Sequence, residues 1–198
     1  MAAALAALFA LGAGLLFAGR PAAARAAAPM EDGGPPSGVA TGAEIERDAS
    51  WHSDAGDVVV FLVRHAERAE DGTRDPSIST EGRARAEALA AMLRDAGLTA
   101  IHSTDFKRTR QTATPVADGA GLSVAIYDPR KLKEFAGRLR ETPGRHLVVG
   151  HSNTTPDLVA ALGGDPGAPI AEDGYDRLYI LFISPEGAET VLLRFGTR

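Results

Sequence analysis

From Asp57 onward, short aliphatic and β-branched runs alternate with stretches of helical period. Val58 to Val63 is apolar at every position, as a parallel strand buried on both faces should be, and it stops abruptly at Arg64-His65. His146 to Val149 repeats the pattern and empties into Gly150-His151-Ser152-Asn153. Between them, Thr80 is the expected cap of a helix in which Ala86, Leu89, Ala90 and Leu93 share one face, closing near Gly97. Ala100 to His102 reads as a short strand, and Asp105 is the expected N-cap of a helix from Phe106 to Gly119. Leu122 to Tyr127 alternates as a strand, and Leu132, Phe135, Ala136 and Leu139 mark a third helix. Thr155-Pro156 opens a fourth, with proline near its first turn, and Gly163-Gly164 ends it. Arg177 to Ile183 and Thr190 to Phe195 are predicted strands on either side of the turn Ser184-Pro185-Glu186-Gly187.

Repeated strand-helix units predict an α/β fold: three layers, α/β/α, with a mostly parallel sheet and an antiparallel edge strand from the final hairpin. In such sheets ligands bind outside the carboxyl ends of the strands. Both histidine-bearing junctions fall at such ends.

The chain of 198 residues, 44% of them hydrophobic, suffices for one well-buried domain. That domain is expected over residues 57–198. Met1 to Ala18 carries no charged side chain, and a small-residue tract follows with A-x-A options around Ala24 to Ala28. Residues 1–28 therefore read as a signal peptide or an uncleaved N-terminal anchor, and 29–56, rich in Pro, Gly and acid, as a linker. The expected location is exported, periplasmic or secreted, with membrane attachment only through that first segment. Cysteine is absent, which excludes disulfides, thiolate catalysis and Cys-ligated zinc. Removing residues 1–28 takes away Arg20 and Arg25 and moves the net charge from −5 to −7. An acidic domain without a basic stripe is not expected to bind nucleic acid. Any cationic cluster must then be local.

Hydrolysis of a phosphate ester through a covalent intermediate needs a nucleophile, cations around the equatorial oxygens and an acid for the leaving group. Neutral histidine attacks without first losing a proton, which makes His65 the candidate nucleophile. Arg64 can fork onto phosphate oxygens. Arg108, one turn into the second helix, supplies a second cation beside helix N-terminal amides. His151 is the opposing partner. Glu67 is expected to bond Arg64 or a loop amide, and Ser152 and Asn153 to shape the loop and cap the next helix. Glu67 and Ser152 are also kept as candidate substrate contacts. His102 and His146 read as structural. The acidic stretch Glu172-Asp173-Gly174-Tyr175-Asp176 fits either a loop over the pocket or an exposed turn.

These motifs, in order, resemble the histidine phosphatase superfamily, the phosphoglycerate-mutase-like fold. Its Arg-His-small motif stands as Arg64-His65-Ala66, and its Ser-x-x-x-x-Arg-[Ala/Thr]-x-x-Thr segment as Ser103 through Thr112. Its Gly-His-Ser is Gly150-His151-Ser152, and Ile78-Ser79-Thr80-Glu81-Gly82 is similar to the stretch after the first loop. The resemblance covers about residues 58–195. It implies a phosphohistidine on His65, stabilisation by Arg64, Arg108 and His151, and no cofactor or metal. Ala66 stands where mutase-like members often have Gly. The mutase branch also carries a Glu in an insertion after the third strand, where this chain has only Tyr127 to Glu134, leaving Asp128 or Glu134 as possible proton donors. No Asp follows His151, as it would in the acid phosphatase and phytase branch. The short chain is most similar to the small phosphohistidine-phosphatase branch.

The expected function is a metal-independent phosphatase for a phosphomonoester or phosphoamidate, with a small phosphorylated molecule or a phosphoprotein as partner. The alternatives are a mutase-type phosphotransferase and a weakly catalytic phosphate binder of the same fold. His65-Ala66-Glu67 resembles the start of a zinc motif, but the Cys pair or spaced second His that would complete one is missing. There is no P-loop either.

Overall fold

The computed structural model describes residues 56–196. The signal-peptide, anchor and linker expectations fall outside these residues, apart from Gly56. Among the described residues no helix is long and apolar enough to cross a membrane.

The elements are β1 (Val58–Arg64), α1 (Thr80–Leu93), β2 (Ala100–Ser103), α2 (Lys107–Ala120), β3 (Val124–Ile126), α3 (Leu132–Glu141), β4 (Gly144–Gly150), α4 (Thr154–Ala161), β5 (Arg177–Ser184) and β6 (Gly187–Arg194). They form one sheet of order β3-β2-β4-β1-β5-β6. β1 runs parallel to β4, β4 to β2 and β2 to β3, while β5 is antiparallel to both β1 and β6. This is a mixed α/β sheet, parallel from β3 to β1, with the final hairpin at its edge, as expected.

Alternation along β1 divides the core. Val58, Val60 and Leu62 pack with Phe135 and Leu139 of α3, Leu158 of α4 and Leu162 just after it on one face. Val59, Phe61 and Val63 pack with Leu89, Leu93, Ala113 and Val116 of α1 and α2 on the other. The all-apolar strand is thus explained by helices on both sides. Truncating a fully buried leucine such as Leu62 or Leu147 to Ala would cost about 2–5 kcal/mol.

Several boundaries differ from the sequence pattern for local reasons. Ser79, not Thr80, caps α1, its hydroxyl accepting the Gly82 amide at 3.1 Å. Asp105 does not cap α2, because Phe106 holds the N-cap position and Asp75, from a distant loop, accepts the Lys107 amide at 2.9 Å. Asp105 pairs with Arg110 instead. α2 continues past Gly119 and through Pro115 to Ala120, ending where Gly121 adopts φ 66°. α4 begins at Thr154, and Asn153 at its N-cap position makes no side-chain cap. β3 keeps only Val124 to Ile126, being an edge strand, while β4 and β6 are longer than expected because each finds a full-length neighbour.

Candidate active site

Because β4 lies between β1 and β2, three strand ends meet at one edge of the sheet. Arg64 pairs with Gly150 on the last rung of β1 and β4, and Ser103 lies opposite Val149. The loops beginning with His65, Thr104 and His151 therefore leave side by side. They border a cleft of about 470 Å³ lined by Arg64, His65, Arg68, Phe106, Arg108 and His151, with Pro129, Arg130, Ser152, Asn153, Thr154 and Glu172.

His65 is fixed from both sides. Its amide donates to the Gly150 carbonyl at 2.9 Å, and its Nδ1 lies 2.7 Å from the Ala66 carbonyl oxygen. A carbonyl only accepts, so Nδ1 carries the proton and Nε2 holds the lone pair, unbonded among the described residues. The loop itself is clamped. The Ala66 amide donates to Thr112 Oγ1 at 2.9 Å, and the Ser79 amide donates to the Glu67 carbonyl at 2.8 Å. Gly82 lets the start of α1 press against this loop, since a Cβ there would overlap the Glu67 carbonyl oxygen. Burial pushes the His65 imidazole down to about 3; the Ala66 contact opposes this, and the charges of Arg64, His151 and Arg108 add to it. His65 is neutral at pH 7, the form a nitrogen nucleophile needs.

His151 stands edge-on to His65, with ring centroids 5.4 Å apart. Its Nδ1 faces Arg108 Nη2 at 3.4 Å, and a guanidinium only donates, so Nδ1 accepts and Nε2 carries the proton. Nε2 donates to Thr104 Oγ1 at 3.0 Å, and that hydroxyl donates to Thr109 Oγ1 at 2.9 Å. Thr109 passes its own proton to the carbonyls of Thr104 and Phe106. This buried relay fixes the His151 tautomer. Burial, then Arg108 and Arg64, lowers its pKa to about 4.

Arg64 is 5% exposed. Its Nη1 donates to the carbonyls of Ala171 at 2.8 Å and Gly174 at 3.1 Å, Tyr175 covers its face with the ring centroid 4.2 Å from Cζ, and Glu172 lies 3.7 Å from Nη2. The stretch from Glu172 to Asp176 is thus part of a loop against the pocket. Arg64 Nε is buried without an acceptor among the described residues. Leaving such a donor unmet costs about 1–3 kcal/mol, which an acceptor oxygen in the cleft would relieve. Arg108 stacks on Phe106 at 4.5 Å and lies 3.6 Å from Asp75. Among the described residues no cluster of three or more His, Asp or Glu converges as metal ligands would.

His65, His151, Arg64, Arg108 and Ser152 thus share one cleft. Glu67 does not join them. Its carboxylate turns away to Arg85 of α1, whose Nε donates to both oxygens at 2.8 and 3.0 Å, so it bonds neither Arg64 nor the cleft. The two proton-donor candidates also fall away. Asp128 is bound by Nε and Nη2 of Arg130, both at 3.0 Å, and that pairing holds its carboxyl at about 2, too acidic to carry a proton at neutral pH. Glu134 is an exposed partner of Lys131 and does not line the cleft. The carboxylate that does is Glu172. Sequence reading also passed over Thr104, Arg68 and Arg130; for Thr104 the available signal was its place directly after a strand whose end faces the histidines.

The family model of the histidine phosphatase superfamily (branch 1) matches residues 60–142. A probable phosphoglycerate mutase GpmB of Yersinia enterocolitica is 38% identical over 119 residues, 57% of this chain and 54% of that protein. The chain thus spans about half the length of the curated relatives it matches. Among solved structures, the protein histidine phosphatase SixA complexed with tungstate superposes with TM-score 0.56 at 20% identity, over 70% of this chain and 96% of that one. A mycobacterial glucosyl-3-phosphoglycerate phosphatase gives 0.54 at 16% identity, over 72% of this chain and 100% of that one. The family model thus takes in the strand and helix that carry His65 and Arg108, and the likeness of fold extends over about 70% of the chain; this chain is similar to the histidine phosphatase superfamily.

Proposed function

We propose that the protein is a metal-independent phosphatase that hydrolyses a phosphomonoester or phosphoamidate through a phosphohistidine on His65. The observation that carries this reading is the pairing of a neutral His65, its Nε2 unbonded, with the buried and unsatisfied Nε of Arg64 in the same cleft. Attack by Nε2 forms the P–N bond as the P–O or P–N bond to the leaving group breaks. Arg64 and Arg108 stabilise the charge on the equatorial oxygens. Water then attacks phosphorus, the bond to Nε2 breaks, and inorganic phosphate leaves with His65 restored to its neutral form. The carboxylates of Asp128 and Glu134 lie outside the cleft, so leaving groups that depart with little protonation suit it best. The names of the curated relatives favour a second reading, a phosphoglycerate-mutase-type transfer. The uncharged first residues support export and so a substrate outside the cytoplasm.

The test is release of phosphate from para-nitrophenyl phosphate by the full chain in EDTA, beside His65→Ala. Turnover that survives chelation and vanishes in the variant supports the reading. Turnover that needs added metal, or that persists in His65→Ala, overturns it. Phosphoryl transfer between positions of a phosphoglycerate, with little release to water, would favour the mutase.

A further inference from the structure

Beside the cleft lies a second hollow, of about 540 Å³, that shares Arg68 and Arg108 with it and adds Arg74, Glu70 and Thr73. Its wall is a built loop. The two arms of residues 67–79 are pinned by the Arg68–Ile78 bridge and by the Ala69 amide donating to the Ser77 carbonyl at 2.8 Å. At the tip, Asp71 Oδ1 accepts from the Thr73 amide at 2.9 Å and from its hydroxyl at 2.6 Å. Asp75 ties the returning arm to the start of α2 through the Lys107 amide.

The charge balance is lopsided in a chain whose net charge is −5. Arg68 and Arg74 are exposed and have no carboxylate partner among the described residues. The charge of Arg68 is felt at both Arg64 and Arg108. Against these four guanidiniums the two hollows set Glu172, Glu70 and the Asp75 contact to Arg108. Arg64 and Arg108 suffice for one phosphoryl group. Arg68 and Arg74 lie beyond it, where the rest of a substrate would extend.

We infer that the hollow beside the cleft, walled by Arg68 and Arg74, is a subsite for a second anionic group on the leaving portion of a small substrate, a carboxylate or a second phosphate. The inference rests on the phosphatase reading for the first group and adds the substrate class. Arg68, shared by both hollows, bridges the two groups and orients the ester toward His65. Arg74 holds the far anion.

The test compares para-carboxyphenyl phosphate with para-carbamoylphenyl phosphate, which match in shape and differ by one negative charge. With the full chain, kcat/KM is expected to favour the carboxylate by about tenfold or more, and the ratio to fall toward one in Arg68→Ala and Arg74→Ala. A para-phosphonophenyl ester keeps the preference, and its rank against the carboxylate tells which anion the subsite holds better. Calorimetric binding of the same compounds to His65→Ala reads the charge preference without turnover. Should the phosphatase reading fail, this arm still decides the subsite. Equal affinity for the charged and neutral compounds, or a preference that survives both arginine substitutions, overturns the inference.

Discussion

Among the described residues two histidine pairs stand out, each of one buried and one half-buried ring, and only one of them opens on the cleft. His102 Nε2 lies 3.3 Å from His146 Nδ1, His146 Nε2 contacts the Thr142 carbonyl at 2.9 Å, and Phe135 packs edge-on against His102. His65, buried, and His151, half-buried, are also depressed in pKa, yet they stand at strand ends with cations around them. Burial drives His102 to about 4, close to the value of His151. A shifted pKa therefore does not separate a catalytic imidazole from a structural one. What separates them is an unbonded ring nitrogen opening on a cationic cleft, against rings whose nitrogens face each other and the backbone.

The largest expected effect breaks the catalytic pair. Removing the nucleophile in His65→Ala should lower turnover by about 10⁴-fold or more, while the thermal midpoint moves little. A residual rate within tenfold of wild type would remove His65 from the chemistry. Arg108→Ala, which takes one charge from the phosphoryl group, should cost about 10²- to 10³-fold in kcat/KM. Thr104→Val tests the relay behind His151. Losing the acceptor for Nε2 should cost about tenfold in rate, with KM nearly unchanged, and an unaltered kcat would show that the His151 tautomer needs no such anchor.

The structural pair should respond in the opposite sense. His146→Leu removes the partner of both His102 and the Thr142 carbonyl, and should cost about 1–3 kcal/mol of stability in denaturant unfolding while leaving kcat/KM within about twofold. The signal shared by both pairs is titration. His65, His102 and His151 have folded pKa values depressed below the unfolded value of about 6.5. Protons then bind the unfolded chain first, so stability is full above pH 6.5 and falls as pH drops toward 4, by about 1.4 kcal/mol per pH unit for each such ring. Histidine ring NMR should show these three rings neutral at pH 5, and a ring that protonates near 6.5 would contradict its assigned environment.

Much of this contrast was legible in the chain itself. Val58 to Val63 and His146 to Val149 read as buried parallel strands because helices cover both faces, and Arg64-His65 and Gly150-His151 read as their carboxyl ends. His102 and His146 read as structural because they fall within or before strands rather than after them. What the sequence hid depends on contacts between distant residues. Nothing local says that β4 inserts between β1 and β2, which brings Thr104 to His151. Nor does spacing reveal that Asp75 takes the α2 amide expected of Asp105, or that Arg85 and Arg130 withdraw Glu67 and Asp128 from the site. Each of these is a competition among charged partners, settled only when the fold brings them together.

The most direct measurement is capture of the covalent intermediate. The full chain is mixed with substrate, quenched in alkali where phosphohistidine survives, and its peptides are mapped by mass spectrometry with nitrogen-resolved phosphorus NMR. Phosphate on His65 at Nε2, absent from His65→Ala, is the predicted result, because Nδ1 is committed to the Ala66 carbonyl. Phosphate on His151, or steady turnover with no phosphohistidine at any time point, would contradict the account.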